Sequence, residues 1–355
     1  MTDAVLGIHH ITAICGDAQA NVDFYAGVLG LRLVKRTVNY DDPGTYHLYY
    51  GDETGTPGSI LTFFPWPGLP RGRQGTGQAT VISFAIAPRS LGYWLERLVR
   101  HSVPYTGPTK REGEQVIELR DPDGLLLELV TDERADERPV WGGGSVTSDH
   151  AIHGFHSVTL WEDGYDDTAT LLTQQLGLRP ARQIGDELFC FAAGDRGPGT
   201  RVNVRLAPAF WRGAMGVGTV HHVAWRAADD AAQIALRNRI HELGANPTPV
   251  IDRAYFHSVY FHEPGGVLFE IATDPPGFTV DEPVERLGER LMLPAHLESY
   301  RSQIERRLPP IHMPAPYAGG ASRAVADARG SAAAAPSATR VASDASDTNT
   351  MGETR

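Results

Sequence analysis

The 355-residue chain is short of several things, and each shortage removes a class of reading. It has two cysteines, Cys15 and Cys190, too few for a disulfide framework, which points to a reducing compartment. Its 32 Lys and Arg are outnumbered by 43 Asp and Glu. The resulting net charge of −11 argues against nucleic acid or an anionic membrane surface as partner. No run of about 18 apolar residues is present to span a bilayer. The opening "MTDAVLGIHH" lacks a basic stretch followed by an apolar core, so a secretory leader is not expected and the cytoplasm is. The stretch 319–355 has almost no large apolar side chain. It is expected to be a disordered tail, because it cannot bury enough surface to offset the entropy of ordering it.

What the chain does have is repetition. "DPDGLLLELVTD" (121–132) superposes without a gap on "EPGGVLFEIATD" (263–274), with Pro122 on Pro264, Gly124 on Gly266 and Glu128 on Glu270. "ATVISFAI" (79–86) aligns with "GTVHHVAW" (218–225), and "GIHHITAI" (7–14) with "GFHSVTLW" (154–161). Helix-like stretches with apolar residues at three-to-four spacing follow each opening strand. The first is expected to be capped by Asp17 and closed at Gly30, and the last to stop at Gly244. The fold class is therefore α+β: four βαβββ modules in tandem, at 5–67, 78–132, 151–208 and 217–274, forming two cup-shaped mixed sheets. The expected organisation is an N-terminal pair of modules (5–132), a C-terminal pair with an extension (151–312), and the tail.

Two histidine doublets open strands, His9-His10 and His221-His222. Neighbouring strand residues point to opposite faces, so one histidine of each pair is expected to face a shared site. The repeat indicates which. The second doublet position holds His10, Ser83, Ser157 and His222 across the four modules, and the last-strand position holds Phe63, Glu128, approximately Val204, and Glu270. Modules one and four together supply two histidines and a glutamate; modules two and three supply two serines and a glutamate. Only the first set makes a metal site. Two imidazoles and one carboxylate with open positions suit non-haem Fe(II), and zinc is the competing assignment. A satisfied strand histidine or an ordinary ion pair is the structural alternative. It is disfavoured because "VLFEIAT" is apolar on both faces and a carboxylate buried there alone is costly.

These residues, with "GIHHITAICGDAQANVDFYAGVLGLRLVKRTVNYDDPGTYHLYYGD", "SILTFFPWPG" and "DRAYFHSVYFHEPGGVLFEIATDPPGFTVDEP", resemble the vicinal-oxygen-chelate superfamily (glyoxalase/bleomycin-resistance/dioxygenase-like). Within it they resemble the extradiol-like, ring-cleaving dioxygenases that act on hydroquinones. The resemblance covers residues 5–312. It implies His10, His222 and Glu270 as ligands of Fe(II), or of Mn(II), and places His9, Thr12, His221, Arg253 and Tyr260 around the substrate. By it, His9 and Thr12 are substrate-binding, while His221, Tyr260 and Arg253 serve proton transfer and orientation. The expected partners are a small aromatic diol and O2, with a homo-oligomer allowed. Tyr260 faces the site only if Glu263 pairs with Val267 across the Pro264-Gly265-Gly266 turn, which sets it opposite Glu270. Phe64 and its neighbours in "TFFPWPG" read either as pocket wall or as core. Two rivals share the architecture: a glyoxalase-like metal-dependent lyase or isomerase, and a metal-free protein binding an aromatic or a drug. The first wants a second carboxylate ligand where Phe63 stands, and the second needs no metal set.

Overall fold

A computed structural model describes residues 4–194 and 197–315, so the expected tail lies outside the described residues. The first module contains β1 (Ile8–Cys15), α1 (Ala18–Val22), β2 (Arg32–Asn39), β3 (Asp42–Gly51) and β4 (Ile60–Pro65). The second contains β5 (Gln78–Ile86), α2 (Leu91–Arg100), β6 (Tyr105–Arg111), β7 (Glu114–Arg120) and β8 (Leu126–Thr131). The third contains β9 (Phe155–Glu162), α3 (Asp166–Thr170), β10 (Arg179–Ile184), β11 (Leu188–Ala192) and β12 (Arg201–Leu206). The fourth contains β13 (Thr219–Ala227), α4 (Asp230–Glu242), β14 (Ile251–Asp252), β15 (Phe256–His262) and β16 (Leu268–Pro276).

The helices begin and end where side-chain chemistry dictates. Ala20 N donates to the Asp17 carboxylate at 2.8 Å, and Ala232 N to that of Asp229 at 2.8 Å, each satisfying an otherwise orphaned first-turn amide. Gly30 and Gly244 follow their helices with φ of 72° and 86°, a region that only glycine enters without strain.

Two eight-stranded sheets result, ordered β14-β15-β16-β13-β1-β4-β3-β2 and β10-β11-β12-β9-β5-β8-β7-β6. Module one thus shares a sheet with module four, and module two with module three. The halves 5–132 and 151–312 each contribute one module to each sheet rather than building a sheet apiece. The joints are the antiparallel pairs β1–β13 and β5–β9, where the opening strands of two modules meet. This joint is what carries two distant histidine doublets to one place.

Each face of a strand has a different duty. Phe63 is fully buried and packs on Tyr25, with ring centroids 4.5 Å apart, on the helix-covered side of the first sheet. Its neighbour Thr62 faces the concave side, where it meets Thr12. Likewise Val204 is core, and Asn203 points into the second cup toward Ser157 and Thr159. The alignment that put Phe63 and Val204 at the site position is therefore off by one residue in both modules. The cause is that β4 is buried on both faces and offers no alternation from which to set its phase.

Candidate metal centre and its cavity

His10 on β1, His222 on β13 and Glu270 on β16 converge on the concave face of the first sheet. His10 Nε2 and His222 Nε2 are 3.2 Å apart and lie 3.2 and 3.0 Å from Glu270 Oε2. All three residues are buried. Glu270 Oε1 accepts a hydrogen bond from Ser258 Oγ at 2.5 Å, while Oε2 has no hydrogen-bond partner. A buried carboxylate oxygen without a donor, facing two imidazole nitrogens, is a costly arrangement unless a cation completes it. The donor set fits a divalent metal.

The companion in the first doublet fixes the tautomer of His10. His9 Nε2 meets the Thr273 carbonyl at 3.1 Å, and His9 Nδ1 meets His10 Nδ1 at 2.9 Å. Burial, then the neighbouring His10, lowers the His9 pKa far below its ordinary value, so the ring is neutral. A carbonyl only accepts, so His9 carries its proton on Nε2 and accepts at Nδ1 from His10 Nδ1–H. His10 Nε2 is left with a bare lone pair aimed at Glu270. His221 Nδ1 contacts His222 Nδ1 at 2.8 Å in the same fashion.

Strand alternation alone would turn these companions away. The β1–β13 ladder shifts register between Ile8 and His10 and between Thr12 and Ala13, so the extra residues are His9 in one strand and His221 in the other. A β-bulge re-aims the side chain it carries. The expectation that at most one histidine of each doublet faces the site is corrected at the second bulge and holds at the first. His221 lines the cavity with His222, whereas His9 sits behind His10, packed on Phe256 at 5.0 Å.

The cavity lined by His10 and His222 holds about 500 Å³ and is walled by Tyr49, Phe64, Trp66, Phe256 and Tyr260. Phe64 is therefore wall, and Phe63 is core. Glu263 N donates to the Val267 carbonyl at 3.0 Å and Tyr260 pairs directly with Glu270, so Tyr260 shares the ligand face. Its ring lies 5.6 Å from that of His222, and the Arg253 guanidinium stands 5.5 Å over it. Arg253 also lines the cavity and reaches Asp41 at 3.3 Å. Thr12 does not line it; fully buried, it contacts Thr62 Oγ1 at 2.8 Å. Sequence reasoning missed His47 and Tyr49, while Trp66 lies in the "TFFPWPG" stretch read as wall or core. His47 and Tyr49 share one face of β3 by their spacing of two, but so do Thr45 and Gly51, and nothing local singles them out.

The second cup lacks this centre. Ser83 and Ser157 oppose one another, Ser83 Oγ donates to Glu128 at 2.6 Å, and Arg111 grips the same carboxylate at 3.0 and 2.7 Å. Among the described residues one further metal-like cluster exists, Glu114, Asp132 and His156. The Arg201 guanidinium occupies it, contacting His156 and lying 2.9 Å from Glu114 and 3.2 Å from Asp132.

The family model described as "Glyoxalase/Bleomycin resistance protein/Dioxygenase superfamily" matches residues 7–129 and 154–279. The chain belongs to this superfamily. It is 50% identical over 313 residues to the Bacillus subtilis (strain 168) protein named "Putative ring-cleaving dioxygenase MhqO", covering 88% of this chain and 99% of that one. It is 33% identical over 319 residues to the "Chlorohydroquinone/hydroquinone 1,2-dioxygenase" of Sphingobium indicum, covering 87% and 97%. A solved structure from Bacillus subtilis, 50% identical, superposes with a TM-score of 0.84 over 88% of this chain and 99% of that one. No helix among the described residues is long and apolar enough to cross a membrane.

Proposed function

We propose that this protein is a ring-cleaving dioxygenase that opens an aromatic diol of the hydroquinone class with O2 at an Fe(II) held by His10, His222 and Glu270. The observation that carries the reading is the orphaned Glu270 Oε2 facing two imidazole nitrogens, that of His10 left with a bare lone pair by His9. Relatives along nearly the whole chain, one named for hydroquinone, supply the substrate class. Such an ion acidifies a bound phenol and brings the electrons of the ring within reach of O2. Two imidazoles and one carboxylate leave positions open for both. The β4 residue beside the site on the concave face is Thr62, and among the described residues no second carboxylate of the kind a glyoxalase-like lyase would want joins the cluster.

The remaining residues act on the substrate. Phe64, Trp66 and Phe256 provide an apolar slot that excludes water from a flat ring. Arg253, above the Tyr260 ring, favours the anionic form of the diol at the mouth. Burial first, and then Glu270, raises the Tyr260 phenol, so it stays protonated and donates a hydrogen bond. His222 Nε2 must be bare to hold a metal, so its Nδ1–H donates to His221 Nδ1 and leaves the His221 proton on Nε2. Burial, followed by the adjacent His222, lowers His221 to about 3. His221 therefore enters the reaction as a neutral donor at Nε2.

Oxygen-free purification, loading with Fe(II), and O2 uptake with hydroquinone test the reading. Uptake near one O2 per ring opened is expected. No uptake with either hydroquinone or catechol by protein that has retained iron overturns it.

A further inference from the structure

One row crosses the concave face of the first sheet, in which His222, Thr12, Thr62 and Tyr49 are successive register partners. A buried chain of polar groups runs along it. Thr12 Oγ1 lies 2.8 Å from Thr62 Oγ1, Thr62 Oγ1 lies 2.8 Å from His47 Nε2, and His47 Nδ1 lies 2.8 Å from Tyr49 Oη. The His47 ring is fixed between Tyr49, 4.0 Å away, and Phe64, 4.3 Å away. Both His47 and Tyr49 line the cavity.

We propose that Tyr49, positioned by His47, binds the second hydroxyl of the substrate and so selects diols whose hydroxyls stand on opposite sides of the ring. This inference rests on the dioxygenase reading and names the residue that reads its substrate. A para-diol cannot bring both oxygens to one ion, so the far oxygen needs a partner in the wall. Tyr49 is on β3, two strands from β1. At about 4.8 Å per strand this places it about 10 Å from the strand of His10, the reach of a metal-bound ring with an oxygen at each end.

A hydroxyl both donates and accepts, and the Tyr49–His47 pair answers either need without a change of charge. Burial, then the nearby His10 and His222, keeps His47 neutral, so one ring nitrogen donates while the other accepts. With the proton on Nε2, His47 donates to Thr62, Tyr49 donates to Nδ1, and the Tyr49 oxygen accepts from the ligand. With the proton on Nδ1, His47 donates to Tyr49, and the Tyr49 O–H donates to the ligand. Arg253, which also lines the cavity, only donates and is engaged by Asp41. An ortho-diol places both oxygens at the metal end and leaves Tyr49 unused.

The experiment is an oxygen-free titration of the metal-loaded wild type and of Tyr49→Phe with hydroquinone and with catechol, followed by protein fluorescence, with metal content measured in parallel. Loss of one buried hydrogen bond should weaken hydroquinone about tenfold in Tyr49→Phe. Catechol binding and metal content should stay within twofold. His47→Phe, which leaves Tyr49 without its partner, should shift hydroquinone in the same direction and by less. Unchanged hydroquinone binding, or equal weakening of both ligands, overturns the proposal. Because binding is read without turnover, a wild type that binds hydroquinone but consumes no O2 overturns the dioxygenase reading instead.

Discussion

In the first cup, Glu270 faces two imidazole nitrogens; at the matching place in the second, Glu128 is gripped by the Arg111 guanidinium and the Ser83 hydroxyl. The modules share order, joint strands and a glutamate in the last strand, and both cups bury the carboxylate. They differ in how its charge is met. The second cup carries its own counter-cation on a side chain, so it is complete as it stands and closed to a metal. In the first, no such cation contacts Glu270 among the described residues, and two of the three candidate ligands, His10 and His222, line a cavity. On the proposed reading, one scaffold serves as a reactive centre where the cation is left to be supplied, and as a structural pair where it is built in.

The largest effect should come from removing a first-cup ligand. His222→Ala should lower O2 uptake about a thousandfold or more, the several kcal/mol that a catalytic ion supplies. Its far-UV spectrum should be unchanged. Arg111→Met is the counterpart in the second cup. It leaves Glu128 without its cation and should cost about 2 kcal/mol in urea unfolding, less than a fully buried pair because the arginine is partly exposed. Iron content should not move, and a joint Arg111→Met, Glu128→Gln variant should recover most of the stability.

A smaller contrast lies at the ends of the joint strands, where the alignment matches Cys15 of β1 with Glu162 of β9. Burial, aided by the charge of Glu263, raises Glu162 from 4.5 to about 9, and neither carboxyl oxygen has a partner. Between those pH values the folded state holds a proton that the unfolded chain has released, so stability falls as pH rises from 4.5 toward 9. Glu162→Gln should remove this slope and stabilise the protein at pH 7 by roughly 2–3 kcal/mol, with little change at pH 4, as read from denaturation midpoints. A wild type whose stability rises over that range would contradict the assignment. Smallest of these is His9→Ala, which removes the group that sets the His10 tautomer. It should weaken the metal about 10- to 100-fold by competition with a chelator, while His156→Ala in the second cup should leave metal affinity alone.

Much of this comparison was legible in the chain. The ungapped match of 121–132 with 263–274 exposes the modules, and the second doublet position separates His10 and His222 from Ser83 and Ser157. The turn register that sets Tyr260 opposite Glu270 followed from pairing Glu263 with Val267. Other features lie beyond local pattern. Which modules share a sheet is decided by pairing across more than 200 residues, and no periodicity records it. The bulges at His9 and His221 break the alternation from which strand faces are read. Where β4 is apolar on both sides, its phase slipped by one residue and hid Thr62. His47 and Tyr49 acquire meaning only once β3 lies beside β4.

The most direct test of the account is a count of iron per chain after oxygen-free loading, in the wild type and in Glu270→Gln and Glu128→Gln. One ion in the wild type, none in Glu270→Gln and one in Glu128→Gln is the predicted result. Two ions in the wild type, or an ion that survives Glu270→Gln and is lost with Glu128→Gln, would contradict the division of labour between the cups.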